Sequence, residues 1–278
     1  MARNPRPRAT GRLGRARAAC GDNQRVLPLG DIAFLVAAGV LAGIVGTAGA
    51  ITSLVSFPAL LIAGVPALGA NVANIVAITT TWPGSALSSR SELRGRASWV
   101  WRYGAVAGLG GAIGTALLLS TPSGAFRTIV PFLVAAGAIA LLATPRLRRL
   151  AGRGAAMRRD PPWMAAALLS ISVYNGYFGA GSGVMTLALL LIASDERLPF
   201  ANALKNMLIG AGNVVAAVGL ALFASVRWDA VVPLGIGAFA GATIGPRVAR
   251  RVPERSLRFA VAAIGLGLAV QLWVTNGT

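Results

Sequence analysis

The stretch Gly43-Ile-Val-Gly-Thr-Ala-Gly49 interrupts an apolar segment that extends from Ile32 to Gly64. A transmembrane helix needs about 20 mostly apolar residues, so this segment is long enough for one strongly tilted helix or for two shorter ones. Glycine tolerates backbone angles that other residues avoid, and unwound backbone persists at membrane depth only where protein or a watery cavity surrounds it. The cluster therefore predicts either a helix break or a seam of close helix packing.

A second cluster, Asn175-Gly-Tyr-Phe-Gly-Ala-Gly-Ser-Gly183, interrupts the long apolar segment from Trp163 to Ile192. Of the 278 residues, 55% are hydrophobic and 12% are charged, which is typical of a chain solvated by lipid. The remaining apolar segments are Ala70–Leu87, Trp99–Leu119, Phe126–Ala143, Phe200–Phe223, Ala230–Ile244 and Leu257–Trp273. The sequence predicts an all-α polytopic membrane protein with about eight transmembrane helices, or nine to ten if both long segments break.

The chain contains an internal repeat. Gly110-Gly-Ala-Ile-Gly114 recurs as Gly241-Ala-Thr-Ile-Gly245, an offset of 131 residues. The same offset relates Pro122 to Pro253, Arg127 to Arg258, Asn71 to Asn202 and Asn74 to Lys205. We expect two repeated four-span halves with glycine-broken or re-entrant first segments, at 29–144 and 162–278, joined by a basic cytoplasmic linker at 145–161. Repeated halves are common in transporters, which bind solute at the repeat interface.

The net charge of +18 comes from arginines in the N-terminal tail and in the connections between apolar segments. Positive charge of this kind indicates topology and not a nucleic-acid partner. We expect a multi-pass protein of the cell membrane, with a disordered cytoplasmic tail at 1–28 and cytoplasmic loops at Arg90–Arg102 and Arg146–Arg159. The basic connection Arg247–Arg258 conflicts with a second four-span half, which leaves the orientation of the last two spans open.

Polar residues recur at helical spacing inside two of the apolar segments. Asn71 and Asn74 share one face of the second segment. The sixth segment carries a polar stripe, Asn202, Lys205, Asn206 and Asn213. Polar side chains inside a membrane normally face the protein interior. They either form hydrogen bonds between helices or line a solute pathway.

Lys205 is the only lysine in the chain. Because it lies about one turn into its segment, it could extend to the interface beside Asp195 and Glu196. The alternative is that Lys205 supplies positive charge for an anionic solute.

The chain offers no recognisable catalytic constellation. All eight acidic residues lie outside or at the edges of the apolar segments, and the sequence has no histidine. These features disfavour proton-relay pumps, and no phosphate-binding loop for ATP is present. We therefore expect no enzyme, no catalytic residues, no metal site and no cofactor.

The glycine clusters resemble those of the sulfite exporter TauE/SafE family of membrane transporters. The resemblance also rests on Phe57-Pro-Ala-Leu-Leu, Gly64-Val-Pro, Ala70-Asn71 and Ala201–Asn206, and it spans about Ile32 to Trp273. It implies about eight spans from a duplicated unit and the transport of sulfur-containing anions such as sulfite or organosulfonates.

The sequence thus predicts a secondary carrier or facilitator for a small anion, with the lipid bilayer as its surroundings. A channel-like facilitator and a non-transporting scaffold subunit are the alternatives, and homo-oligomerisation stays open. The predicted substrate-binding residues are Gly46, Gly49, Asn71, Asn74, Asn175, Gly179, Gly181, Gly183, Asn202, Lys205 and Asn206.

Overall fold

The computed structural model describes residues 27–49, 52–88, 93, 95–151, 161–193, 198–249 and 254–276. These residues form eleven helices: α1 (Leu29–Gly49), α2 (Ser53–Ile62), α3 (Ala67–Ile78), α4 (Thr81–Ser88), α5 (Ala97–Ser120), α6 (Ser123–Ala151), α7 (Trp163–Tyr177), α8 (Ser182–Ala193), α9 (Leu198–Phe223), α10 (Trp228–Ala249) and α11 (Glu254–Asn276). The predicted all-α polytopic membrane protein is confirmed. Most of the predicted tail, 1–28, lies outside the described residues.

In the described part of the chain, five helices are long and apolar enough to cross a membrane, by length and composition: Leu29–Gly46, Ala97–Ser120, Ser123–Ala143, Phe200–Phe223 and Trp228–Gly245. Both long apolar segments are broken, the first into α1 and α2 and the second into α7 and α8. The segment predicted from Ala70 to Leu87 is also divided, because Thr79 and Thr80 form a turn between α3 and α4. With 10 residues, α2 extends about 15 Å, half the thickness of the hydrocarbon core.

The contacts made by glycines show how the helices run relative to one another. Gly39 of α1 packs against Leu234 of α10, and Gly43 packs against Ala242, so these two helices are parallel. They form the most extensive helix pair among the described residues. The spacing of four between small residues brings the two backbones into direct contact, as in other membrane helix pairs.

The next most extensive pair, α5 and α7, is also parallel. Gly110 of α5 packs against Leu169, and Gly114 packs against Val173 and Tyr177. The repeat motifs that begin at Gly110 and Gly241 therefore lie in packing seams, while Gly179 and Gly181 lie in a helix break. Within the glycine clusters both interpretations hold at different glycines, because Gly43 and Gly176 also lie in packing seams.

The broken pair α3/α4 is antiparallel to α9, because Thr79 hydrogen-bonds the carbonyl of Asn213 at 3.3 Å while Trp82 contacts Gly210. It is parallel to α10: Thr80 hydrogen-bonds the carbonyl of Gly235 at 2.9 Å. Further along the same interface, Gly84 contacts the Thr243 side chain.

Helix α9 in turn runs parallel to α5, since Gly104 contacts Ala211 and Thr115 contacts Gly219. Helices α1, α3/α4 and α10 therefore share one direction, and α5, α7 and α9 run in the opposite one. Because α1 and α3 point the same way, α2 must return the chain between them, and α8 does the same between α7 and α9.

These directions define two faces of the bundle. The terminal face is where α1 begins and α11 ends, and the basic face is where α4, α6 and α10 end. The three basic connections, around 90–102, 146–159 and 247–258, all join helix ends at the basic face, and they carry fifteen arginines. Helix α1 begins at the terminal face, opposite these connections, because α2 adds a return pass that the four-span count omits. The side expected for the tail, whose residues 1–26 lie outside the described part, stays a prediction.

The positions of the helices agree with the predicted repeat register. Three helix starts in the first half recur 131 residues later: Ala67 as Leu198, Ala97 as Trp228 and Ser123 as Glu254. The equivalent helices α1 and α7 run in opposite directions, so the two groups of helices have inverted orientations. The predicted linker at 145–161 begins within α6, which continues to Ala151.

Candidate functional site

A polar cavity of about 70 Å³ lies where the helix breaks of both halves meet. The break between α1 and α2, the turn between α3 and α4, the break between α7 and α8 and the middle of α9 all reach it. Its lining residues are Gly43, Gly46, Thr52, Ser53, Ile78, Thr81, Trp82, Ser85, Asn175, Gly179, Gly181, Ser182, Gly183, Lys205, Asn206, Ile209, Gly210 and Asn213. Since one water needs about 10–15 Å³ by this measure, the cavity holds about five waters or a small ion.

Two helices begin at the cavity wall, α2 at Ser53 and α8 at Ser182. The first N–H groups of a helix have no intrahelical acceptor, and the helix dipole makes this end electropositive. Between α7 and α8 the chain turns through Gly179 and Gly181, each at a φ of 81°. A side chain in that left-handed region is strained, so the sequence folds here because it supplies glycine.

Lys205 lines the cavity from α9 and is 1% exposed. Its Nζ donates to Asn202 Oδ1 at 2.9 Å. A lysine buried at this depth does not agree with a side chain that extends to the interface. Asp195 and Glu196, the acidic neighbours considered for that alternative, lie outside the described residues.

Asparagine and serine side chains form a network across the floor of the cavity. Asn175 Nδ2 donates to Asn213 Oδ1 at 2.8 Å, and the Ser182 hydroxyl donates to Asn175 Oδ1 at 2.6 Å. The network ties α7, α8 and α9 together. It fixes the amides at the cavity wall, where they offer N–H and C=O groups to a solute.

Trp82 is a cavity residue that the sequence analysis missed. Its indole packs over Gly210, and its Nε1–H is buried without a hydrogen-bond partner in the described part of the chain. An unpaired buried donor costs about 1–3 kcal/mol, and an acceptor bound in the cavity would remove that cost. The repeat offset of 131 relates Trp82 to Asn213 of the polar stripe, so extending the register would have found Trp82.

Asn71 and Asn74 are both fully buried but do not line the cavity. Asn71 Nδ2 donates to the carbonyl of Tyr177 at 2.8 Å, and Asn74 Oδ1 accepts from the Ser56 hydroxyl. Asn71 Oδ1 and Asn74 Nδ2 have no partner among the described residues. These amides lie on the terminal-face side of the cavity, because α3 begins at that face.

Aromatic side chains pack close to these amides. Phe57 and Phe178 meet edge to face with ring centroids 5.2 Å apart, and Phe126 lies 6.4 Å from Phe178. Phe178 directly follows Tyr177, whose carbonyl Asn71 binds. The terminal-face side of the cavity is therefore closed by hydrogen bonds and packed rings, whereas Ser85, Lys205 and Asn206 extend the cavity toward the basic face.

Of the eleven predicted residues, the structure brings seven to the cavity wall: Gly46, Asn175, Gly179, Gly181, Gly183, Lys205 and Asn206. Asn202 stands behind Lys205 as its hydrogen-bond acceptor. Gly49 ends α1, and its place in the site stays a prediction. Asn71 and Asn74 form the separate pair described above.

A bundle of membrane-crossing helices in inverted groups, with a solute-sized polar cavity between their breaks, defines the class of multi-pass membrane transporters. The sulfite exporter TauE/SafE family matches residues 32–272, and the chain belongs to that family. The family resemblance found in the sequence is thus confirmed.

Two curated relatives cover nearly the whole chain. A "Probable membrane transporter protein ORF9" from Sinorhizobium sp is 26% identical over 245 residues, which is 87% of this chain and 92% of the relative. A "Probable membrane transporter protein" from Haemophilus influenzae is 27% identical over 261 residues, 88% of this chain and 96% of the relative. No solved structure matches the chain at a significant level.

Proposed function

We propose that this transporter is a secondary carrier for a small anion, with a sulfur-containing oxyanion such as sulfite as its solute. The cavity wall supports this proposal, since Lys205 and two helix N-termini converge there. Helix N-termini attract anions through free N–H groups and the helix dipole. The cavity volume of about 70 Å³ fits an inorganic oxyanion better than a larger organosulfonate.

The predicted residues divide into two roles under this proposal. Lys205, Asn206, Asn175 and the backbone around Gly46, Gly179, Gly181 and Gly183 surround the solute, with Asn202 positioning Lys205. Asn71 and Asn74 line the route between the cavity and the terminal face when that route opens.

A carrier accounts for the arrangement better than a channel. The cavity extends toward the basic face and is closed toward the terminal face. Inverted helix groups are the architecture in which halves exchange conformations to give alternating access. A channel-like facilitator would need a continuous path. A scaffold subunit would need neither the buried cation nor the unpaired Trp82 donor, because each costs folding free energy.

The membrane orientation follows from the basic face. Fifteen arginines lie in or beside its connections, and the positive-inside rule counts charges near helix ends in short loops. We therefore infer that the basic face is cytoplasmic in the cell membrane, which places the start of α1 on the other side and reverses the orientation predicted for the tail. A reporter that is active only outside the cytoplasm should then be active when it is fused after Thr278. An inactive reporter would instead indicate that the terminal face, and with it the tail, is cytoplasmic.

The function is tested by counterflow in proteoliposomes. Vesicles loaded with unlabelled sulfite should accumulate labelled sulfite transiently and saturably, and sulfate, thiosulfate and a sulfonate should compete in proportion to their fit. A pH gradient across the same vesicles tests proton coupling. Uptake that never saturates would favour a pore, and no uptake of any of these anions, with a stable partner co-purifying, would favour the scaffold.

A further inference from the structure

A second and larger cavity, of about 440 Å³, lies at the terminal face between α6, α11 and the turn that joins α2 to α3. Its wall consists of Leu61, Ile62, Gly64, Val65, Pro66, Ala67, Arg127, Val130, Leu268, Gln271 and Leu272. No described residue lines both this cavity and the central one. Its size is several times that of the solute cavity, so it fits a larger ligand.

The helix ends around this cavity give its depth in the membrane. Leu61 and Ile62 end α2, Ala67 begins α3, Arg127 lies in the first two turns of α6 and Leu272 lies in the last two turns of α11. All four helices reach the terminal face at these residues. The cavity is therefore at the boundary between lipid headgroups and acyl chains.

The outer surface beside the cavity is apolar. Ile62 is 73% exposed, and on α11 Val270 and Trp273 are 59% and 67% exposed. An interfacial tryptophan next to exposed aliphatic residues is typical of helix ends in contact with lipid. The cavity therefore adjoins lipid along this side of the bundle.

The chemistry of the wall is that of an amphiphile site. Among the described residues of the wall, Arg127 and Gln271 are the only polar side chains, and the others offer apolar carbon or backbone. Guanidinium groups bind phosphate through paired N–H donors. A wet anion would leave most of this apolar wall without a partner.

We propose that this cavity binds an acidic phospholipid, with its phosphate at Arg127, a headgroup or glycerol oxygen at Gln271 and an acyl chain along Val130, Leu268 and Leu272. Charge complementarity selects an acidic over a zwitterionic lipid by about fivefold for one basic side chain near the surface. The site involves no residue of the solute cavity, so the proposal holds or fails independently of the transported ion.

The test uses the full-length protein in nanodiscs of phosphatidylcholine with a minor fraction of phosphatidylglycerol. Native mass spectrometry should show phosphatidylglycerol retained over phosphatidylcholine by about fivefold, and Arg127→Gln should abolish that preference. Arg227→Gln is the matched control, because Arg227 lies at the same face but outside the cavity wall. This control should retain the wild-type preference.

A second variant tests the apolar part of the site. Leu268→Trp fills the cavity from α11 and should reduce retention of both lipids while Arg127 is intact. Equal phosphatidylglycerol retention by the wild type and Arg127→Gln would overturn the proposal. So would equal loss in Arg227→Gln, or displacement of the lipid by millimolar inorganic phosphate, which would indicate a free-anion site.

Discussion

Replacing Lys205 by methionine removes the buried charge and keeps a side chain of similar length. Lys205 is 1% exposed at the cavity wall, where the dielectric constant is lower than in water. At about 4 Å and an effective dielectric constant of about 20, a cation and an anion attract by about 4 kcal/mol, and a hydrogen bond to a charged group contributes about 1.5–3 kcal/mol. Since about 1.4 kcal/mol is tenfold, Lys205→Met should weaken anion binding by about 10-fold to 1,000-fold.

The assay separates binding from folding. Apparent affinity is measured as saturation of counterflow in proteoliposomes, with Lys205→Arg retaining charge and Arg227→Met as a control at the surface. The melting temperature of Lys205→Met should be unchanged or higher, because replacing a buried charge with an apolar group removes its desolvation cost. Wild-type affinity in Lys205→Met, with normal insertion, would refute the assignment of Lys205 to the solute.

Three further predictions concern the cavity, its closed side and the helix seams. Trp82→Phe removes the unpaired indole donor, so the apparent affinity for the anion in counterflow should fall by about 10-fold to 100-fold. The melting temperature should not change. Unchanged affinity would show that Trp82 does not bind the solute. Asn74→Leu should slow net transport at least about tenfold, because leucine cannot replace the hydrogen bonds of Asn74 in the route to the terminal face. The solute should still protect this variant against thermal unfolding. Equal losses in both assays would place Asn74 in the central site. Gly114→Ala puts a methyl group against the Val173 backbone in α7 and should destabilise the fold by about 1–3 kcal/mol, as measured in thermal melts. At Gly124 an added methyl group meets open space, so Gly124→Ala should have no effect. Similar melting temperatures for both variants would contradict the close packing of α5 against α7.

The helices and the class of protein, a helical membrane protein, could be predicted from the sequence because they depend on local composition. Apolar runs of membrane length predicted the helices, and the glycine cluster from Asn175 to Gly183 predicted the break at Gly179 and Gly181. The turn at Thr79 and Thr80 was not predicted, because two threonines in an apolar segment give little signal; Thr80 bonds the carbonyls of Ala77 and Gly235 only once α10 packs beside it.

The cavity was predictable in part. Glycine breaks and polar spacing identified Lys205, Asn206 and Asn175, which the structure brings together. Spacing alone predicted Asn71 and Asn74 as site residues on the same grounds as Lys205 and Asn206, since polar residues recur at helical spacing in both segments. Their position toward the closed terminal side depends on the direction of α3 relative to α9, and Trp82 reaches the cavity only because Gly210 leaves space for its ring.

The sequence by itself determined that this is a helical membrane protein, which family it belongs to and where its backbone breaks, because hydropathy, small-residue motifs and glycine act within one segment. The tertiary structure alone decided the direction of each helix and the two faces of the bundle. One half-length helix, α2, changes the number of passes, and so reverses every span that follows. The ten apolar residues of α2 could either complete a membrane crossing or turn the chain back toward the face where α1 begins. The helices packed around them determine which, and here the glycine seams of α1 with α10 and of α5 with α7 fix the direction of the chain.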